Sequence, residues 1–344
     1  MKKSLYALLL CTLFFSCTEQ KQSHDYTVVT IETIFEDSVS IRAIEFLDAN
    51  TLAFAGSKGI YGTVDLQTGK TRTNTMVHDS LLPEFRAVAH TNADFFMLSV
   101  ADPALLYKTG DNGKMELVYK EEGEGVFYDA MQFWNDQEGI AIGDTTKGCL
   151  SIIITRDGGQ TWNRLSCNQL PESIGNEGAF AASNTNIELI GDHTWIATTG
   201  GRLLFSADRG LTWTVQKTPI IKDKETQGIY SIDFYDLNNG YGIGGDFTEP
   251  DANKANKITT TNGGTSWSSI ADGQAPGYKS CVQYIPNSGS QDLIAVGFTG
   301  VTYSNDQGAS WKELTDEGFY TIRFLDKKTA YAAGKYRIAK LTFQ

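Results

Sequence analysis

The sequence predicts an all-β protein, a single seven-bladed β-propeller whose ring is closed by its N-terminal strand. Three observations carry this expectation. The pattern Ser/Thr-x-Asp/Asn-x-Gly-x-x-Trp recurs four times in order. A short strand followed by a Gly/Ala-rich strand recurs along the chain. An unpaired β-type run near the N-terminus matches a last unit that is one strand short.

The N-terminus comes first. Met1-Lys2-Lys3 is a positive start, and Ser4 to Phe15 is apolar and uncharged. That run is too short to span a bilayer as a helix, which needs about 20 residues, and fits a secretory signal. It ends Phe14-Phe15-Ser16-Cys17, which resembles a bacterial lipobox, a small residue before a cysteine that becomes the lipidated first residue. The expected organisation is residues 1–16 as lipoprotein signal peptide, 17–25 as a lipidated polar tether, and 26–344 as the propeller. The expected location is the outer membrane, facing periplasm or surface, with the lipid on Cys17 as the only membrane anchor.

The repeated turns are Thr155–Trp162, Ser206–Trp213, Thr260–Trp267 and Ser304–Trp311. A fifth, Thr109–Glu116, keeps the turn and loses the tryptophan. The tryptophans lie 51, 54 and 44 residues apart, the span of a four-stranded blade with its loops. In such a turn the Asp or Asn side chain accepts hydrogen bonds from backbone amides, and glycine supplies a left-handed position. The indole then locks the turn onto the blade. Asp157, Asp208, Asn262 and Asp306 are therefore read as scaffold.

Upstream strings read as inner strands: IRAIEF (41–46), FRAVAH (85–90), YDAMQF (128–133), YSIDFY (230–235), KSCVQY (279–284) and YTIRFL (320–325). Small-residue strands such as LAFAG (52–56) and GIAIG (139–143) follow them and let blades crowd near an axis. Units fall at 40–72, 84–121, 126–165, 177–216, 228–270, 277–314 and 318–343, and the run Tyr26 to Ile34 completes the seventh.

Among cysteines beyond Cys17, Cys149 and Cys167 lie almost symmetrically about the turn Asp157–Gln160. A hairpin there brings them close enough for a disulfide, which export permits, and two free buried thiols are the alternative.

Polar inner-strand positions from different blades are expected to converge near the axis. The candidate ligand-binding residues are Arg42, Arg86, Asp129, Tyr230, Asp233 and Arg323. The loop from Asp246 to Asn256 reads as the longest connection and a cap for that face, with Asp246, Glu249 and Asp251 as a calcium alternative.

Charge and motifs exclude several classes. Net charge is −12 and the pI about 4.8, which opposes nucleic-acid binding. No dinucleotide fingerprint, H-E-x-x-H or G-x-S-x-G occurs, and the four histidines lack metal-ligand spacing. No cofactor, catalytic residue or metal site is expected. A sialidase-like hydrolase would need three arginines around a carboxylate, with Arg42, Arg86 and Arg323 as the available set and Tyr230 or Tyr320 beside them.

The turn is the Asp-box, or BNR, repeat. Through it, and through EGAFAASNTNI (177–187), TWIATTGGRLLFSADRGLTW (194–213) and GFYTIRFL (318–325), the chain resembles a bacterial family of exported propellers similar to photosystem II stability/assembly factors. The resemblance implies a WD40/YVTN/BNR-like fold and a protein-binding or assembly role, with a partner at the membrane. Members often carry an oxidoreductase or glycosyl-hydrolase label. The first finds no motif here; the second keeps a glycoside hydrolase or glycan-binding protein as the alternative function.

Overall fold

In a computed structural model, which describes residues 24–110 and 113–344, the chain is all β. The expected signal peptide, Cys17 and most of the tether lie outside the described residues, as does Asp111 of the degenerate turn.

The described residues form seven four-stranded antiparallel blades. Their first strands are residues 41–48, Phe85–His90, Tyr128–Phe133, Ile187–Ile190, Gln227–Phe234, Cys281–Tyr284 and Thr321–Phe324. Each packs beside the next, and the seventh packs beside the first, so they form a closed inner ring. One continuous strand, Val29–Asp48, joins the ends. Its residues 29–40 pair with Lys335–Phe343 as the fourth strand of blade 7, and 41–48 pair with Thr51–Gly56 as the first of blade 1. The closing segment thus runs further than the Tyr26 to Ile34 of the sequence reading. A second boundary shifts in blade 4, whose first strand begins only at Ile187, ten residues into its unit.

The hydrophobic core is divided among the seven spaces between blades. Phe96 and Leu98 of blade 2 meet Tyr128, Ala141 and Trp162 of blade 3. Tyr331 and Ile338 of blade 7 meet Ile41, Phe54 and Val64 of blade 1 across the closure. Five further clusters fill the remaining gaps. Both faces of every sheet are covered, which explains runs such as LAFAG without in/out alternation.

The four repeated turns share one bonding scheme. The Thr155 hydroxyl donates to Asp157 Oδ1 (2.8 Å) and accepts from the Gly159 amide (2.9 Å). Asp157 Oδ1 accepts the Thr161 amide (2.9 Å) and Oδ2 its hydroxyl (2.6 Å). Asp208 and Asp306 repeat these bonds. At Asn262 the amide nitrogen instead donates to Ser266 Oγ. Gly159 and Gly308 have φ of 78° and 83°, and a Cβ on either would strike Phe96 or Tyr241 of the preceding blade. Glycine is required there by backbone conformation and by close approach.

Cys149 and Cys167 are disulfide-bonded across that turn's hairpin, with Cα atoms 5.4 Å apart. Cys281 is free and buried.

Candidate functional site

First strands all run the same way along the axis, so their starting residues share one face and their ending residues the other. The turns between second and third strands and the links between blades lie on the starting face. The four repeated turns, the box motifs of the sequence, join third to fourth strands and lie on the opposite one. These are called here the arginine face and the box face.

The axial channel is blocked between them. Residues 182–185, just before the first strand of blade 4, hydrogen-bond to the other six blades. Ala182 O accepts from Arg42 Nη1 (3.4 Å), Asn184 Nδ2 donates to Val88 O (2.8 Å), and the Met131 amide donates to Asn184 Oδ1 (2.9 Å). Thr185 Oγ1 donates to Ser231 Oγ (2.8 Å), Ser183 Oγ to Ser280 O (2.7 Å), and Thr321 Oγ1 to Ser183 O (3.0 Å). Ser183 to Asn186 are buried. The connection that delivers this plug, 165–186, is longer than the loop from Asp246 to Asn256 that the sequence marks as the longest.

Above the plug, the arginine face holds a cup of about 340 Å³ lined by Arg42, Arg86, Phe180, Tyr230, Phe247, Tyr278, Phe298 and Tyr320. Phe180 stacks on Tyr230 with centroids 3.7 Å apart, and Tyr278 stands edge-on to Tyr230 at 4.8 Å. The Tyr230 hydroxyl donates to Thr226 O at 2.7 Å, and burial raises the phenol far above its ordinary value. The Arg42 guanidinium lies 4.1 Å from the Tyr320 ring centroid, and its Nε is shielded and unpartnered. Burial and then the charge of Arg86 lower its pKa. Arg86 donates from Nε and Nη2 to Glu84 Oε1 (2.9 and 2.6 Å). Around the cup, the same face exposes Val77, Leu81, Leu82, Ile174, Phe247 and Phe298 on its loops.

The six candidate residues do not converge on one site. Arg42, Arg86 and Tyr230 line the cup, whereas Asp233 and Arg323 lie beyond the plug at the box face. The reason is strand length. Residues three apart on a first strand stand about 10 Å apart along the axis, so Tyr230 and Asp233 reach opposite mouths. The arginine set Arg42, Arg86 and Arg323 is divided in the same way, and no three-arginine grip assembles. Asp129 belongs to neither mouth. It is fully buried, neither carboxylate oxygen makes a hydrogen bond, and the amides of Ala179 and Ala181 lie nearby. Burial and then the charge of Asp144 push it well above the usual carboxylate range.

The box-face mouth is a cavity of about 570 Å³, with a smaller hollow of about 160 Å³ against the plug. Each blade contributes one polar side chain: Glu45, His90, Gln132, Glu188, Asp233, Gln283 and Arg323. His90 Nδ1 and Glu45 Oε1 are 3.0 Å apart, and that hydrogen bond raises the histidine. Asp233 Oδ2 accepts the Tyr284 amide at 2.5 Å, yet burial pushes its carboxyl up to about 7. Burial, then the charge of Asp233, raises Glu188 well above its normal value. Arg323 donates to Thr321 Oγ1 (3.2 Å), Ile322 O (2.9 Å) and Asn184 O (3.3 Å).

The loop 247–256 reaches the arginine face, where Phe247 lines the cup. Its acidic residues face a cation of the chain: Lys224 Nζ lies 2.5 Å from Glu249 and 3.6 Å from Asp246. Among the described residues no group of three His, Cys, Asp or Glu is arranged to hold a metal ion.

Phe180, Tyr278 and Phe298 of the cup and Glu188 of the box-face mouth are not marked by the sequence as site residues. Phe180 precedes the plug, and Glu188 sits on the one first strand that carries no recognisable string. Phe298 had a signal, an aromatic residue in the turn after LIAVG.

No family model and no curated protein matches the sequence. Solved structures do match its fold. A structure described as YCF48 bound to D1 peptide superposes with a TM-score of 0.66 at 15% identity, covering 94% of this chain and 97% of that one. YCF48 from Cyanidioschyzon merolae gives 0.66 at 13% identity, over 91% and 98%. The RRP9 WD40 repeats give 0.60 at 9% identity, over 91% and 97%. At these identities the likeness establishes a shared propeller fold.

Proposed function

We propose that the protein is a non-catalytic propeller that captures a segment of a protein partner on its arginine face, as an exported, lipid-anchored module. The observation that carries this reading is one composite surface. An aromatic cup holding two arginines, closed below by the plug, is ringed by exposed apolar side chains on separate loops. Several exposed apolar side chains on one face favour an interaction site, and aromatic residues with arginine are the usual anchors. The cup suits a segment presenting an aromatic or aliphatic side chain beside a carboxylate. Arg42 has an unpartnered Nε, and Arg86 is held only by the half-exposed Glu84. The fold neighbour whose structure contains a D1 peptide lends support for a propeller that accepts a peptide. The divided arginine set counts against a sialidase-like hydrolase.

Selection from a displayed peptide library tests the binding reading. We expect enriched sequences to pair an acidic or C-terminal carboxylate with an aromatic residue. The double variant Arg42→Ala/Arg86→Ala should weaken the selected peptide at least about tenfold, or about 1.4 kcal/mol. Enrichment of nothing, or binding indifferent to both arginines, would sink the proposal. For the anchor, fatty-acid labelling should appear in the wild type and vanish in Cys17→Ala.

A further inference from the structure

We propose that the box-face mouth is a second, separate binding site, which takes a ligand through a primary ammonium group. It stands independently of the reading above, because the plug separates the two mouths and no residue is shared between them.

The cavity is concave, lies on the axis, and receives polar groups from every blade, the geometry of a small-ligand site. Its charged donors are engaged. Arg323 is spent on Thr321, Ile322 and the plug carbonyl of Asn184, and His90 is engaged with Glu45. Its acceptors are engaged only in part. Gln132 Oε1 lines the cavity, is shielded from solvent and has no partner. Neither Glu188 nor Asp233 lies within ion-pair distance of a basic group among the described residues, and the attraction of Arg323 offsets their burial and mutual repulsion only in part. An open concave mouth lined by three carboxyl groups, one guanidinium and an unpaired amide oxygen suits a ligand that brings donors and positive charge, and an ammonium group supplies three N–H donors. A shielded acceptor left unpaired is costly, and one positioned ligand donor removes that cost.

Burial has a further consequence. Two carboxyls that repel each other hold a proton near neutrality, and an entering ammonium group would displace it to solvent. Charged or titratable groups facing the pair are Glu45, His90 and Arg323, and none supplies a competing ammonium.

Isothermal titration of the full chain with cadaverine, beside 1,5-pentanediol as its uncharged counterpart, is the test. Saturable millimolar or tighter binding of the diamine, with none of the diol, is expected. Glu188→Gln and Asp233→Asn should each weaken it at least tenfold. Should either acidic variant unfold, the wild type still decides the matter. Below pH 7 its binding heat should vary with the ionisation enthalpy of the buffer, reporting the released proton. N-acetyl-lysine amide separates the sources of the group: binding of this probe points to a lysine of a partner chain, and binding of cadaverine alone to a free amine. Equal binding of diol and diamine, or no binding of either amine, would overturn the proposal.

Discussion

Asp233 shows how one residue can report on the fold's chemistry. Burial at the box-face mouth outweighs its bond from the Tyr284 amide and the attraction of Arg323, leaving its carboxyl near 7. In the unfolded chain an aspartate releases its proton near 4, so the native state binds more protons over a window of about pH 4 to 7. Stability attributable to this group therefore falls as pH rises through that window and levels off above it. Asp233→Asn cannot ionise, so its stability relative to the wild type should improve from pH 4 to 7, by on the order of a few kcal/mol. Urea unfolding at a series of pH values measures this; a difference that is flat with pH would contradict it. The box aspartates behave in the opposite sense. Asp157 and Asp208 accept amide and hydroxyl donors that hold them below the ordinary range despite the cost of burial. Their contribution is present above about pH 4 and is lost as pH falls through their lowered native values. These roles were legible in the sequence, because the box is a local motif whose partners lie within four residues. The roles of Arg42 and Arg323 were not separable there, since the strings IRAIEF and YTIRFL do not say which mouth an arginine meets.

At the scale of elements, the plug is the least legible and most consequential part. Phe180 to Asn186 carries no strand periodicity, and its conformation is set by partners in six blades up to 140 residues away. No local rule in the sequence encodes that. Asn184 is its centre: its side chain satisfies Val88 O and the Met131 amide, both buried. Asn184→Ala removes both bonds and leaves a buried backbone donor and acceptor unpaired. The expected loss is about 1–3 kcal/mol for each unsatisfied group, read as a lower urea midpoint. Asn184→Asp should keep the amide acceptor, lose the donor to Val88, and fall between the two. A variant as stable as the wild type would show that the plug is not held by these bonds. The blade strands contrast with it. Their identity follows from composition, because sheets covered on both sides tolerate only apolar and small residues.

For the whole molecule, closure depends on one strand that serves two blades. Residues 29–40 complete blade 7 and 41–48 begin blade 1, with Ile31 and Phe35 packing into the two cores that flank the junction. The need for such closure was readable from the counting of units, as a run without a partner and a unit lacking a fourth strand. Deleting 24–34 should open the ring, expose the edge of Lys335–Phe343, and replace one cooperative unfolding transition with a broader, earlier one. Calorimetry would show this as a calorimetric enthalpy exceeding the van't Hoff value; an unchanged sharp transition would mean the other six interfaces suffice.

The same strand also sets the molecule's bearing. Val29 pairs with Phe343 at the box-face end, and His24 is fastened there, its Nδ1 2.7 Å from Asp292 of blade 6. Six residues lie between Cys17 and His24, and the seven links that join them reach at most about 24 Å when extended. A lipid on Cys17 would therefore moor the propeller with its Asp boxes toward the bilayer and its arginine cup turned outward. A partner meeting that cup would then approach from the aqueous side, and the amine site would open toward the lipid headgroups.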